Sequence, residues 1–469
     1  MKRPVFVTLL LLSYFLSSGQ ERSTYRYEND FIPSAFYKEC RTELREQMPD
    51  SSVAVFFSAP VRNRSNDTDY PYHQHPQFYY LTGFTEANSL LLIFKLPIIL
   101  DGKSTNEILF IPPRIKERET WNGRRASLKE AENISGIETV LYSQSFNTIN
   151  IKSTNFSKVL YLPLPMGIAD DRMDSSDLFD QVEMFKSKFS YPSPNGDSYL
   201  LNKILRKMRE VKKPEEIELM KKAILISCEG HKEMMKTLEP GMSEYQVEAV
   251  GEYVFRNMGA EDVGYPSICG GGENSCILHY ETNRKSLKAG DLILLDMGAE
   301  YHGYSADVTR TLPVSGTFSK EQKIIYELVH KAQDSAFSQC KPGNNFQDPH
   351  RAATEIIKKG LFNLGIIKDE IEYKTYFMHG TSHYLGLDVH DPGMRNKLSA
   401  GNVITVEPGI YIPVNSNCDP KWWNIGVRIE DDVLITPNGY ENLSISCPSK
   451  AEDVEKLMKE MSIYVFPIK

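Results

Sequence analysis

Hydrophobic and polar positions fall into two textures along the chain. From residue 22 to 196, short apolar runs at residues 53–57, 89–94, 107–111 and 159–162 predict buried strands with helical stretches between them. The cluster Tyr191-Pro192-Ser193-Pro194-Asn195-Gly196 breaks both periodicities and predicts a domain boundary. Beyond it a helical period dominates. Residues 199–237 predict a long helical region interrupted at Lys213-Pro214, where Pro214 followed by Glu215 and Glu216 suits a helix first turn. Ser243-Glu244 opens a further helix to Met258. Residues 292–297, 309–312, 403–406 and 427–435 then predict strands joined by Gly-containing turns. The pattern gives an α/β amino-terminal domain (22–196) and an α+β carboxy-terminal domain (197–469), helices laid on an antiparallel sheet.

Composition narrows the function. A chain of 469 residues exceeds one ordinary core, and 41% hydrophobic with 25% charged residues reads as a folded globular protein. The net charge of -8 excludes a dominant nucleic-acid surface. Basic stretches at residues 114–118 and 203–213 read as solvated faces. Residues 1–19 combine Lys2 and Arg3, an apolar run, and Ser17-Ser18-Gly19, the pattern of a cleaved signal peptide. The run is too short for a stable membrane span, so an exported (periplasmic or secreted) mature protein is expected. Seven cysteines without repeated spacing suggest neither a disulfide framework nor a zinc motif.

The chemistry concentrates in the second half. Residues 291–311 read as a hairpin; a turn centred on Tyr301-His302 sets Asp296 directly opposite Asp307. Two carboxylates that close repel unless a cation or a proton lies between them. Either Asp alone has a bland reading as a turn cap or an Arg partner. Glu407 ends the apolar run 403–406, and Glu430 shares a strand face with Arg428, which alone reads as a weak surface ion pair. His379, His383 and His390 place three of the ten histidines within twelve residues. The spacing of four sets His379 and His383 on one side of a helix or a strand. Asp296, Asp307, His383, Glu407 and Glu430 form an oxygen-rich donor set for two divalent ions, with manganese favoured and cobalt or zinc also fitting. Two such ions about 3.5–4 Å apart would clamp a bridging hydroxide and polarise a carbonyl.

These residues carry a family resemblance. The pieces Gly272-Glu-Asn-Ser-Cys-Ile-Leu-His279-Tyr, Leu295-Asp296-Met-Gly-Ala, Ala306-Asp307-Val-Thr-Arg, His379-Gly-Thr-Ser-His383, Asp388-Val-His390-Asp391, Val406-Glu407-Pro-Gly-Ile-Tyr411 and Val427-Arg428-Ile-Glu430-Asp431 resemble the pita-bread metallopeptidases, and among them aminopeptidase P, the Xaa-Pro aminopeptidases. Phe78-Tyr-Tyr-Leu-Thr-Gly-Phe84 resembles the family's amino-terminal domain. The resemblance implies an internally duplicated catalytic domain, a homo-oligomer (dimer or tetramer), and peptide substrates beginning Xaa-Pro. It implies that Glu407 moves a proton to the departing proline nitrogen. It further implies that His279, His379 and His390 stabilise the oxyanion or hold substrate, and that Arg428 and Tyr411 shape the proline side. Prolidase, which cuts only dipeptides, shares the fold and ligands; Ser382 leans away from it. A metal-free peptide-binding module on the same fold is the alternative of another class.

Overall fold

The computed structural model describes residues 29–171, 174 and 176–464, so the signal-like residues 1–19 lie outside it. Among the described residues no helix is long and apolar enough to cross a membrane. The amino-terminal half is built on a five-stranded mixed sheet. Its order is Val140–Tyr142, Lys103–Ile111, Leu90–Leu100, Ser52–Phe57 and Lys158–Tyr161, the outer pairings parallel and the inner two antiparallel. Strand alternation divides the apolar side chains between two cores. Val53, Val55, Phe57, Leu90, Leu92 and Phe110 point toward the helix Leu178–Lys188. Ala54, Phe56, Leu91, Ile93 and Leu109 point the other way, into the large core that continues through the carboxy-terminal half. The Leu90–Leu100 strand outruns the expected apolar segment. Its pairing shifts between Ile93 and Ile98, and Pro97, which has no N–H to offer a ladder, falls in that gap.

The carboxy-terminal half repeats one plan twice, two helices followed by antiparallel strands. The first pass is Pro214–Thr237 and Glu244–Asn257, then strands to Thr309–Pro313; the second is Lys320–Phe337 and Asp348–Asn363, then strands to Gly439–Asn442. Pro214 does open its helix, and Glu216 at the third position accepts from the Lys213 backbone N–H. The strands form small antiparallel sheets rather than a single one. The expected strand 427–435 is two strands: Ile425–Arg428 pairs with Gly409–Ile412, and Asp431–Thr436 pairs with Val403–Val406. Between them the Glu430 N–H donates to the Thr309 carbonyl oxygen at 3.1 Å. That bridge is one of several links between the two passes, and the functional site forms there.

The basic stretch 203–213 is a solvated face at Lys203, Arg206 and Lys207 but not throughout. Arg209 and Lys212 are buried, because the helix Ser198–Glu210 packs between the two halves and both cations meet Asp391.

Behind the site, His231 on the Pro214–Thr237 helix is wholly buried and donates from Nε2 to the Met297 carbonyl oxygen at 3.1 Å. Burial, helped by the Arg310 charge, holds its pKa down to about 4 from an ordinary 6.5. The depressed value means that stability is intact above pH 6.5 and is lost as pH falls through about 4. Unfolding free energy should therefore drop by on the order of 3 kcal/mol across that window. Denaturant melts from pH 7 to 4 on His231→Gln should show a flatter slope than the parent chain; equal slopes would contradict the assignment.

Candidate metal centre

Asp296 ends the buried strand Leu292–Asp296, and Asp307 lies two residues before Thr309–Pro313. The hairpin between them turns at His302-Gly303, with Tyr301 paired to Tyr304, not at Tyr301-His302. The register therefore differs from the expected one: Asp296 faces Thr309, and Asp307 is its diagonal neighbour on the same face. Gly298 makes this possible. A Cβ there would lie 1.9 Å from the Ala306 carbonyl oxygen, so only glycine lets the strands close between the two carboxylates. The Tyr265 hydroxyl lies 2.6 Å from Oδ1 of Asp296 and 2.7 Å from Oδ1 of Asp307, sharing one proton between them.

His379 and His383 occupy neither helix nor strand but an irregular segment. His383 is aimed by its backbone: Nδ1 donates to the Tyr384 carbonyl oxygen at 3.0 Å, leaving Nε2 facing Asp307 at 3.3 Å and Glu407 at 3.6 Å. Atoms of Asp307, His383 and Glu430 come within 4.8 Å of one another, close enough to share one ion. Asp296 and Glu407 flank them. Thr309 fixes Glu430 through a 2.6 Å hydrogen bond, and Arg428, buried rather than on the surface, holds Asp296 at 2.5 Å instead of pairing with Glu430.

Electrostatics make this cluster a fit for cations. Burial and then Asp307, Glu407 and Asp296 raise the Glu430 carboxyl well above the ordinary range. Burial raises Glu407 to about 7, the nearby His383 charge working against it. Asp307 is raised by burial and by Asp296, while Asp296 itself stays low because Arg428 and its hydrogen bonds outweigh burial. His383 is pushed up to about 9 in spite of burial, by its hydrogen bond to Asp307 and the Glu407 charge. Carboxylates that raise one another, with an imidazole nitrogen aimed among them, are the donor chemistry that hard and borderline divalent ions satisfy.

The site lines a cavity of about 480 Å³ that includes every expected site residue except Tyr411. Tyr411 stands one bond behind. Arg428 donates to its hydroxyl oxygen at 2.8 Å, and that hydroxyl lies 2.8 Å from Nε2 of His379. Burial and the Arg428 charge hold His379 down to about 4, so it is neutral and accepts from Tyr411 while Nδ1 donates to the Gly380 carbonyl oxygen at 2.7 Å. His279 and His390 lie exposed at the mouth, the His390 ring 4.3 Å edge-on from that of His383. Sequence reasoning missed Tyr265, Thr309 and the buried Asp432, which accepts from the Asp307 N–H at 3.0 Å. Tyr265 and Thr309 had no periodic or charge signal. Asp432 had one: a third acidic residue in succession on an apolar strand.

Comparison with known proteins places this geometry. Residues 218–437 match the model of metallopeptidase family M24, and residues 37–161 match that of the aminopeptidase P N-terminal domain. The Xaa-Pro aminopeptidase of Haemophilus influenzae is 36% identical over 439 residues, covering 91% of this chain and 98% of that one. The solved structure of Pseudomonas aeruginosa aminopeptidase PepP aligns with a TM-score of 0.81 at 36% identity, covering 92% of this chain and 99% of that one. A Zn-substituted Escherichia coli aminopeptidase P in complex with product aligns with a TM-score of 0.80 at 34% identity, covering 91% and 98%. With both domain models matched in order and the identity sustained along almost the entire relative, the chain belongs to the aminopeptidase P group of metallopeptidase family M24.

Proposed function

We propose that this chain is a metal-dependent exopeptidase that releases the amino-terminal residue from peptides with proline in the second position. The observation that carries the reading is the convergence of Asp307, His383 and Glu430 within 4.8 Å, flanked by Asp296 and Glu407, in a chain of this family. Those five residues would hold two divalent ions, with manganese favoured by the oxygen-rich set and cobalt or zinc also fitting. When bound, such ions supply Lewis acidity toward the scissile carbonyl and a water that is nucleophilic near neutral pH.

The remaining chemistry belongs to the chain. Water oxygen bonds to the scissile carbon, and the proton it loses passes to Glu407, a carboxyl that lines the cavity beside His383. Glu407 then delivers that proton to the proline nitrogen as the C–N bond breaks. Delivery matters because a proline amide carries no N–H, and its nitrogen leaves as a neutral amine only once protonated. His379, held neutral, gives its one N–H to the Gly380 carbonyl oxygen, so its ring, fixed by the Arg428–Tyr411 link, lines the substrate's path and does not donate to the oxyanion. His279 and His390 at the mouth hold the peptide.

Export and assembly complete the proposal: a signal peptide at residues 1–19 and a dimer or tetramer. Intact mass and light scattering on secreted protein should show a chain starting near Gln20 and two or four copies; an unprocessed Met1 and a monomer would overturn both. For the activity, manganese-loaded protein should release free arginine from Arg-Pro-Pro. Chelation should abolish this, and Glu430→Gln should lower turnover by at least about 100-fold with loss of bound metal. Cleavage of Gly-Pro without any action on Arg-Pro-Pro would instead make the chain a prolidase. Binding of peptide without turnover, metal being absent, would make it the inactive module.

A further inference from the structure

The segment from Tyr384 to Asp391 carries His390 but has almost no regular structure, and it has space on both sides. Val389 and His390 line the catalytic cavity, while Leu387 lines a second cavity of about 300 Å³ together with His73 and Tyr79 of the amino-terminal half. Tyr384, Leu385 and Leu387 pack into the core. Polar contacts hold the rest of the loop, and they converge on one buried carboxylate.

Asp391 is buried in a bend of its own loop. Its N–H donates to the Tyr384 carbonyl oxygen at 2.8 Å, and its Oδ1 accepts from the Asp388 N–H at 3.1 Å. Gly386 opposite makes room: a Cβ there would lie 2.8 Å from the carboxylate. Two buried cations reach it from outside the loop. Arg209 at the end of the Ser198–Glu210 helix donates to Asp391 Oδ1 and, at 2.8 Å, to Asp388 Oδ2. Lys212 donates to Asp391 Oδ2 at 2.8 Å and to the Arg209 carbonyl oxygen at 2.8 Å. Glu210 of the same helix accepts from the Tyr384 hydroxyl at 2.7 Å. Two carboxylates therefore balance two cations, and charge-assisted bonds of this kind are worth more than neutral ones when water is excluded.

By contrast, His383 is held on the strand side. Its carbonyl oxygen accepts from the Thr405 N–H at 3.0 Å, and its own N–H donates to Thr405 Oγ1 at 3.1 Å. Neither bond passes through Asp391. The one shared point is the Tyr384 carbonyl oxygen, which accepts from both His383 Nδ1 and the Asp391 N–H; the Asp391 carboxylate makes no bond to His383.

We infer that Asp391, gripped by Arg209 and Lys212, is a positioning residue that sets His390 at the mouth of the site, so that the helix joining the two halves controls substrate placement without touching the metal ligands. The inference rests on the Xaa-Pro aminopeptidase reading. If the unmodified chain releases no arginine from Arg-Pro-Pro, that reading fails, and the exchange measurement below still tests the hold on the loop.

The test is a double-mutant cycle with full-length, manganese-loaded protein. Asp391→Asn should lower kcat on Arg-Pro-Pro by about 10- to 100-fold, the scale of an ångström-sized misplacement, with KM within about twofold and metal content unchanged. In a His390→Ala background the same change should cost less than about twofold. An equal cost in both backgrounds, or loss of metal, would mean a role that does not act through His390 and would overturn the proposal. Hydrogen exchange supplies a readout independent of turnover: Asp391→Asn should expose amides 385–391 and leave 403–406 protected. Unchanged exchange at 385–391 would also overturn it. Should Asp391→Asn fail to fold, Asp388→Asn, which removes only the half-exposed arm of the network, should show the same kcat split and exchange pattern in smaller measure.

Discussion

Four carboxylates are pressed into one cavity, and their mutual repulsion is the constraint around which the catalytic half is arranged. Each has a neighbouring group that restrains it. Arg428 and Tyr265 hold Asp296, Tyr265 also steadies Asp307, Thr309 holds Glu430, and Thr405 approaches Glu407 at 3.4 Å. Behind them Arg310, wholly buried, ties the Glu430 carbonyl oxygen to the Asp431 carboxylate, 2.6 Å from each. A buried acidic cluster is costly unless paired, so its persistence depends on this surrounding shell and on the cations it is shaped to hold.

That constraint explains why the site sits between two passes of the same plan. Asp296 and Asp307 come from the first pass, His383, Glu407 and Glu430 from the second. The Thr309–Glu430 bridge brings the sets together. Neither pass alone would gather enough donors, and neither would be forced to bury so much like charge. The amino-terminal half supplies none of the described residues that line the site. Its sheet shares one face with the central core, and the helix after it delivers Arg209 and Lys212 to the loop of His390.

How much of this was legible in the sequence depended on whether a residue's role followed from local period or from distant contacts. The strand leading to Asp296, the helix opening at Pro214 and the run ending before Glu407 were readable, because apolar periodicity and proline at a first turn are local signals. The pairing of Asp296 was misplaced by two residues, since a hairpin register depends on which residues take the turn. His302, with a positive φ of 47°, occupies that turn together with Gly303. Arg209 and Lys212 looked like surface charge because their partner, Asp391, is about 180 residues away. Tyr265 carried no signal, as an isolated tyrosine before a proline is common in any chain.

The central claim is that the fold holds these carboxylates against their own repulsion for the sake of cations. Thermal melts of the parent chain and Glu430→Gln at pH 8, each chelated and then with excess manganese, test it most directly. Removing one charge should raise the melting temperature of the chelated protein, while with manganese the order should reverse, because only the intact set gains the full binding free energy. A variant that is less stable than the parent in both conditions would contradict the claim.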